Sequence, residues 1–190
     1  NIMNKELKKR IFTSIILLFL LTAMYFYSFI MIGTLLIMTI IIWIEFYALV
    51  SKIIRGNKLQ DRFFRYISKS ASLLYLSIFV YFIFIIESNY TDLKIYLLYS
   101  VLVAILSDIG GLVFGKTFKG KKLTKISPNK TVSGSIGSFV SSMILIPIFY
   151  NELITYDLLT LIILTIVISL ISQIGDLFVS LLKRKAKVKD

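Results

Sequence analysis

The sequence predicts an all-α, polytopic membrane protein of about six transmembrane helices with both termini on the cytoplasmic side. Two observations carry this. Of 190 residues, 57% are hydrophobic, more than a soluble domain of this size can hide in its core. Every Lys and Arg except Lys94 lies in four segments, the N-terminus, 51–70, 116–130 and the tail from Lys183. Six spans bring all four to one side, and an excess of basic residues marks the cytoplasmic side.

The chain opens on Lys5, Lys8, Lys9 and Arg10, then runs uncharged from Ile11 to Ile44 until Glu45. As one helix that run is well over the ~30 Å of bilayer hydrocarbon. It must turn back, and Tyr25, Tyr27, Ser28 and Gly33 mark the place, with aromatics suited to the interface. A cleaved signal peptide is disfavoured, because its apolar region is shorter and ends at a small-residue site. A basic loop, Ser51 to Ser70, leads to a third span, Ala71–Ile86, and a turn holding Glu87, Asp92 and Lys94. The fourth span covers Ile95–Phe114, a second basic loop Lys116–Lys130, the fifth span Ser135–Tyr150 and the sixth Leu158–Leu182, with Glu152 and Asp157 between the last two. This divides the chain into a greasy part, 1–90, and a part richer in small and polar residues, 91–190. In the fourth span Ser100, Ala104, Ser107 or Asp108, Gly111 and Gly115 share a face, as do Gly134, Ser138 and Ser141 in the fifth; such faces let helices approach closely.

With no Cys and no His, the chain excludes disulfides, thiol nucleophiles, imidazole bases and His or Cys zinc sites. Its net charge of +12 resides in short loops between apolar spans, which suits anionic headgroups and not nucleic acid. Three acids lie within spans: Glu45, Asp108 and Asp176. Each precedes the first lysine of the next cytoplasmic segment (Lys52, Lys116, Lys183) by about 10–12 Å of helix, which predicts one common depth below the cytoplasmic surface. An acid at a helix centre costs about 2.5–3.5 kcal/mol on insertion scales and calls for a partner or a task. Glu45 is expected to pair with a snorkelling lysine. Asp108 and Asp176 are expected to line a hydrated cavity holding a divalent metal. Asp176 also sits in a polar stripe of Ser169, Gln173, Ser180, Lys183 and Lys187 at helical spacing.

Carboxylates and lysines without histidine point to phosphate chemistry, since magnesium takes one or two carboxylates plus substrate phosphates. Lys116, Lys119, Lys121, Lys122 and Lys125 crowd one side of Ser127-Pro128-Asn129-Lys130-Thr131. Thr131 or Ser133 is placed to cap the fifth helix, whose N-terminus favours an anion such as a nucleoside triphosphate.

Taken together, Ser107-Asp108-Ile109-Gly110-Gly111 through Gly115-Lys116, SPNKTVSG at 127–134, Gly175-Asp176-Leu177, and S-x-x-K-R-x4-K-D from Ser180 to Asp190 resemble the phosphatidate cytidylyltransferase (CDP-diacylglycerol synthase) family. The resemblance covers the chain from residue 106 on; the first three spans agree only in being hydrophobic. It implies that the phosphate of phosphatidic acid attacks the α-phosphorus of CTP at the inner leaflet of a bacterial inner membrane, with the active site facing the cytoplasm and magnesium, with or without a second cation, as cofactor. A homodimer is an admitted assembly. It implies Asp176 and Asp108 as metal ligands, and Lys183 and Arg184 beside them as catalytic residues. Ser127, Pro128, Lys130, Thr131, Ser180 and Lys189 are implied as substrate-phosphate contacts. Asn129, Val132 and Ser133 depart from the family's SPKKT-W-E-G pattern. The family signature continues past its lysine-aspartate pair into a histidine-glycine-glycine and D-R-x-D segment, so these 190 residues are expected to be either a fragment or a form lacking part of the catalytic site, with little activity alone. The alternatives are a CTP-dependent polyprenol or phytol kinase and a cation or metabolite transporter.

Overall fold

The computed structural model describes residues 2–124, 127, 130–153 and 157–188. Among the described residues there are seven helices: α1 (Ile2–Phe26), α2 (Ser28–Ile53), α3 (Leu59–Asn89), α4 (Lys94–Phe118), α5 (Val132–Met143), α6 (Leu145–Phe149) and α7 (Leu158–Lys185), with a 3-10 turn at Thr91–Leu93. Among the described residues there is no β-strand, only an isolated antiparallel bridge between Lys122 and Thr131. The protein is an all-α integral membrane protein: α2, α3, α4, the α5–α6 pair and α7 are each long and apolar enough to cross a bilayer.

The first apolar run is interrupted where the aromatics and Ser28 cluster. Helix α1 ends at Phe26 and α2 starts at Ser28, and the Tyr27 carbonyl accepts from the Ile30 and Met31 amides at 3.0 and 3.2 Å. The apolar part of α1, Ile11–Phe26, is shorter than the other spans. At 1.5 Å per residue it reaches about 24 Å, less than the ~30 Å core.

One expected loop is largely helical, and a second is shortened by the helix before it. Of the basic stretch 51–70 only residues 54–58 are irregular, because α3 begins at Leu59 and runs for 31 residues. No Gly or Pro interrupts it, Arg and Lys are good helix formers, and Asp61 in the first turn favours the helix dipole. Similarly α4 continues past Lys116 to Phe118, ending on Lys119 in the left-handed conformation, φ 42°. The fifth span is broken at Ile144 into α5 and α6. Pro147 has no amide hydrogen to return to Met143, four residues earlier, and its ring crowds that carbonyl.

The chain forms two compact units, residues 1–47 with 67–91, and residues 48–66 with 92–190. In the first, the Trp43 indole donates to the Lys69 carbonyl at 3.4 Å. The Lys69 ammonium lies 3.2 Å from the centre of the Tyr47 ring, a cation–π contact. The Ser28 hydroxyl donates to the Glu87 carboxylate. In the second unit Tyr99, Val103, Leu145, Ile146, Leu153 and Leu161 form the apolar core. Tyr99 is fully buried there and meets the Thr165 hydroxyl at 2.5 Å.

Above that core α4 and α5 touch almost backbone to backbone. A Cβ added to Gly137 would lie 2.3 Å from the Phe114 Cβ, and one added to Gly110 would lie 2.5 Å from the Gly137 carbonyl oxygen. Close packing is therefore what the small-residue faces do, as their spacing predicted. It also brings serine hydroxyls of α5 within reach of α4 carbonyls: Ser138 donates to Ser107 O at 2.7 Å and Ser142 to Val103 O at 3.3 Å.

Candidate functional site

The site is assembled where the N-terminus of α5 meets the C-terminal halves of α4 and α7, all within the second unit. Thr131 has extended backbone and accepts the Gly134 amide on its Oγ1 at 3.1 Å, which makes it the N-cap of α5. Ser133, the other candidate cap, instead accepts the Gly120 amide at 3.2 Å. That bond ties the start of the basic loop to the start of α5. The loop closes on itself through Leu123 N to Lys130 O at 2.8 Å and Val132 N to Lys121 O at 2.9 Å, and a turn joins the Lys130 amide to Ser127 O at 3.1 Å. This folding fixes the direction in which Lys130 points.

It points at Asp176. The Lys130 ammonium donates to Asp176 Oδ2 at 2.9 Å. The sequence reading gave Asp176 a metal rather than a lysine as its expected partner; the structure places the Lys130 ammonium, from the loop before α5, on one of its carboxylate oxygens. Asp176 keeps 55% of its side chain exposed after making this bond, so it remains open to a further ligand. Asp108, on α4, lies within electrostatic range of both Asp176 and Lys130 and close to Ser172 of α7. The two carboxylates and the lysine thus converge. Glu45 belongs to α2, in the other unit.

Beneath the carboxylates the three helices are cross-linked by hydroxyls and one amide. Ser135 donates to Gln173 Oε1 at 2.6 Å, Gln173 Nε2 donates to Ser169 Oγ at 3.4 Å, and Ser169 shares a hydrogen with Ser107 at 2.9 Å. The expected stripe on α7 is therefore real from Ser169 through Asp176. Ser180 follows Asp176 by one turn on the same face, and Lys183 and Arg184 stand in the last turn, favourable at the negative end of the helix dipole. The stripe stops before Lys187, where the helix has already ended at Lys185 and the backbone turns left-handed, φ 55°. Pro128 and Lys189 lie outside the described residues. Ser172 and Ser135 escaped the sequence reading, although Ser172 precedes Asp176 by four positions and so was legible as sharing its face.

Oxygen and the lysine nitrogen are all this cluster offers. Among the described residues no group of three or more acids could hold a metal by itself. Two carboxylates are nevertheless the number that magnesium commonly takes from a protein, with water and phosphate oxygens completing its octahedron. The donor set fits a hard divalent cation that shares its shell with a phosphorylated ligand, and excludes a softer metal that needs sulfur or imidazole.

A model of the family described as the cytidylyltransferase family matches residues 2–190. The chain belongs to the cytidylyltransferase family. Relatives called phosphatidate cytidylyltransferase include one from Staphylococcus haemolyticus, 41% identical over 98 residues, 50% of this chain and 37% of that protein. Those from Staphylococcus saprophyticus and Staphylococcus aureus are both 38% identical over 112 residues, 57% of this chain and 42% of theirs. The chain thus spans roughly two fifths of the length of the curated relatives it matches. No solved structure matches it. Membership of the cytidylyltransferase family weighs against the kinase and transporter alternatives and accords with the convergence of Lys130, Asp108 and Asp176.

Proposed function

We propose that this chain carries out, or contributes the nucleotide-activating part of, phosphatidate cytidylyltransfer: a phosphate oxygen of phosphatidic acid bonds to the α-phosphorus of CTP, the bond to the β-phosphate oxygen breaks, and pyrophosphate leaves with that electron pair as CDP-diacylglycerol forms. The observation that carries the reading is the Lys130–Asp176 ion pair, which joins the SPNKT loop to the Gly-Asp turn of α7 beside Asp108. The names of the staphylococcal relatives, phosphatidate cytidylyltransferase, support the same reaction.

Both substrates are polyanions, and phosphoryl transfer needs little covalent chemistry from the protein beyond positioning and charge neutralisation. Asp108 and Asp176 are the residues that hold magnesium in this proposal, with a second cation admitted. When bound, the metal neutralises phosphate oxygens and orients the α-phosphorus. Lys130 contributes an ammonium at the junction of loop and carboxylates, from which it reaches phosphate without leaving Asp176. Ser127 and the amide end of α5 capped by Thr131 supply hydrogen-bond donors for the triphosphate, with Pro128, Ser180 and Lys189 as further substrate-phosphate contacts. Lys183 and Arg184 offset the charge of the leaving pyrophosphate. The distribution of the basic segments supports a site at the cytoplasmic face of the inner membrane, within reach of a phosphatidic acid headgroup.

The test is a chimera in which residues 92–190 replace the corresponding segment of the Staphylococcus aureus relative. Membranes containing it are expected to convert radiolabelled CTP and phosphatidic acid to CDP-diacylglycerol with magnesium. Asp176→Asn in the chimera is expected to lower the rate by more than tenfold, about 1.4 kcal/mol of transition-state stabilisation, at unchanged abundance. A chimera that inserts normally but makes no product, or an Asp176→Asn form that keeps more than a tenth of the rate, overturns the reading.

A further inference from the structure

Seven side chains of the second unit gather in the site and one turn beneath it, and only three of them, Lys130, Asp108 and Asp176, have been given a task toward the ligand. The others are Ser107 on α4, Ser135 on α5, and Ser169 and Gln173 on α7. Their bonds run from Ser135 to Gln173 at 2.6 Å, from Gln173 to Ser169 at 3.4 Å and from Ser169 to Ser107 at 2.9 Å. Ser138, one turn after Ser135, returns to the Ser107 carbonyl at 2.7 Å. The circuit is closed and passes through all three helices. Ser107 and Ser169 are fully buried and Ser138 is 4% exposed, whereas Ser135 and Gln173 are half-buried at the upper edge of the circuit.

Each link stands next to a charged group of the site. Ser107 precedes Asp108, Gln173 precedes Asp176 by three residues, and Ser135 lies in the first turn of the helix capped by Thr131, which follows Lys130. A rigid ring one turn below therefore fixes the separation and tilt of all three. Gln173 is its special member. An amide accepts through oxygen and donates through nitrogen, so one side chain joins the Ser135 hydroxyl of one helix to the Ser169–Ser107 pair that leads to another. It does so without adding a charge. A carboxylate here would place a third negative group one turn from Asp176, and a shorter or apolar residue would cut the link between Ser135 of α5 and the Ser169–Ser107 pair.

We propose that Gln173 and Ser135 are positioning residues, which hold Asp176 and Asp108 at the spacing a divalent cation requires. This rests on the metal-site reading given under the proposed function. Supporting groups around a ligating carboxylate set its orientation, and their loss costs ten- to a hundredfold in metal affinity in well-studied sites.

The test uses Mn2+ as the probe, followed by electron paramagnetic resonance on the purified chain in nanodiscs, with thermal unfolding of each protein in parallel. The variants are Gln173→Met, which keeps length and volume but neither hydrogen bond, Ser135→Ala, and Ser135→Thr, which keeps the hydroxyl. Gln173→Met and Ser135→Ala are expected to raise the Mn2+ concentration at half-saturation at least fivefold, and Ser135→Thr is expected to restore it to within twofold of the parent. If Gln173→Met does not fold, Ser135→Ala against Ser135→Thr decides the matter alone. If both truncating variants unfold at lower temperature yet bind Mn2+ as the parent does, while Asp176→Asn abolishes binding, the ring is structural and the positioning proposal falls while the metal site stands. If the parent itself binds no Mn2+, or Asp176→Asn binds it equally well, the metal-site reading falls and takes this proposal with it.

Discussion

Asp157 shows how much a single side chain decides at the end of a span. It is the N-cap of α7, with extended backbone, and its Oδ1 accepts both the Thr160 hydroxyl and the Thr160 amide, the latter at 3.3 Å. The hydroxyl, and then the amide, hold its carboxyl below the usual carboxylate range. A depressed folded value means that the cap contributes stability above the unfolded carboxylate range near pH 4, and that this contribution is lost as pH falls through the folded value. Asn caps as well as Asp and carries no titrating proton. Asp157→Asn is therefore expected to match the parent in thermal unfolding at neutral pH and to lose less stability on acidification. Melting curves from pH 7 down to pH 3 check this, and parallel curves for the two proteins would contradict it. Asp176 belongs to the same scale with the opposite purpose, since its lysine leaves more than half of it open. That contrast was half legible in the sequence. An acid at depth announces that it needs a partner, but the identity of Lys130 depends on how the basic loop folds back, and no periodicity encodes that.

At the scale of elements, the α4–α5 contact is the tightest joint described here. Gly137 has the Phe114 side chain where a Cβ would stand. Gly137→Ala is expected to force the helices apart and to destabilise the protein by about 1–3 kcal/mol, read as a lower midpoint in thermal or denaturant unfolding in detergent. Gly33 of α2 has nothing within 4 Å of an added Cβ, so Gly33→Ala is the matched control. It is expected to be neutral or stabilising by up to about 1 kcal/mol, because Ala is the better helix former. Equal losses in the two variants would show that helix propensity, not the joint, governs the result. The spacing of small residues on both helices made this joint readable beforehand. The break at Ile144 was also within reach, since Pro147 stood in plain view inside the fifth span. The extension of α3 back to Leu59 was not anticipated, because a cluster of basic residues marks the side of the membrane on which it lies but is silent about whether its backbone is coiled.

For the whole molecule, the distribution of charge makes an orientation testable with little engineering. The chain has no Cys, so single cysteines report without background. Asn57→Cys, in the basic segment before α3, is expected to react with a membrane-impermeant maleimide only in inverted vesicles. Asn89→Cys and Asn151→Cys, in the acidic turns, are expected to react only from the other face. Labelling of Asn57→Cys and Asn89→Cys from the same side would contradict the arrangement drawn from the lysines. Hydropathy and charge placement reveal this level best, because the bilayer acts on the whole chain at once and tolerates few exceptions. The site is harder to read, because three helices and a loop meet there through contacts 31 to 62 residues apart in sequence.

Helix α3 has 31 residues, a rod of about 46 Å against a hydrocarbon slab of about 30 Å. Such a rod either leans or stands proud of the slab, so bilayers made of short and of long acyl chains hold it at different angles. Lipid chain length thereby becomes a mechanical variable for this protein. Its basic end, with Arg62 and Arg65, rides among the headgroups as the rod leans.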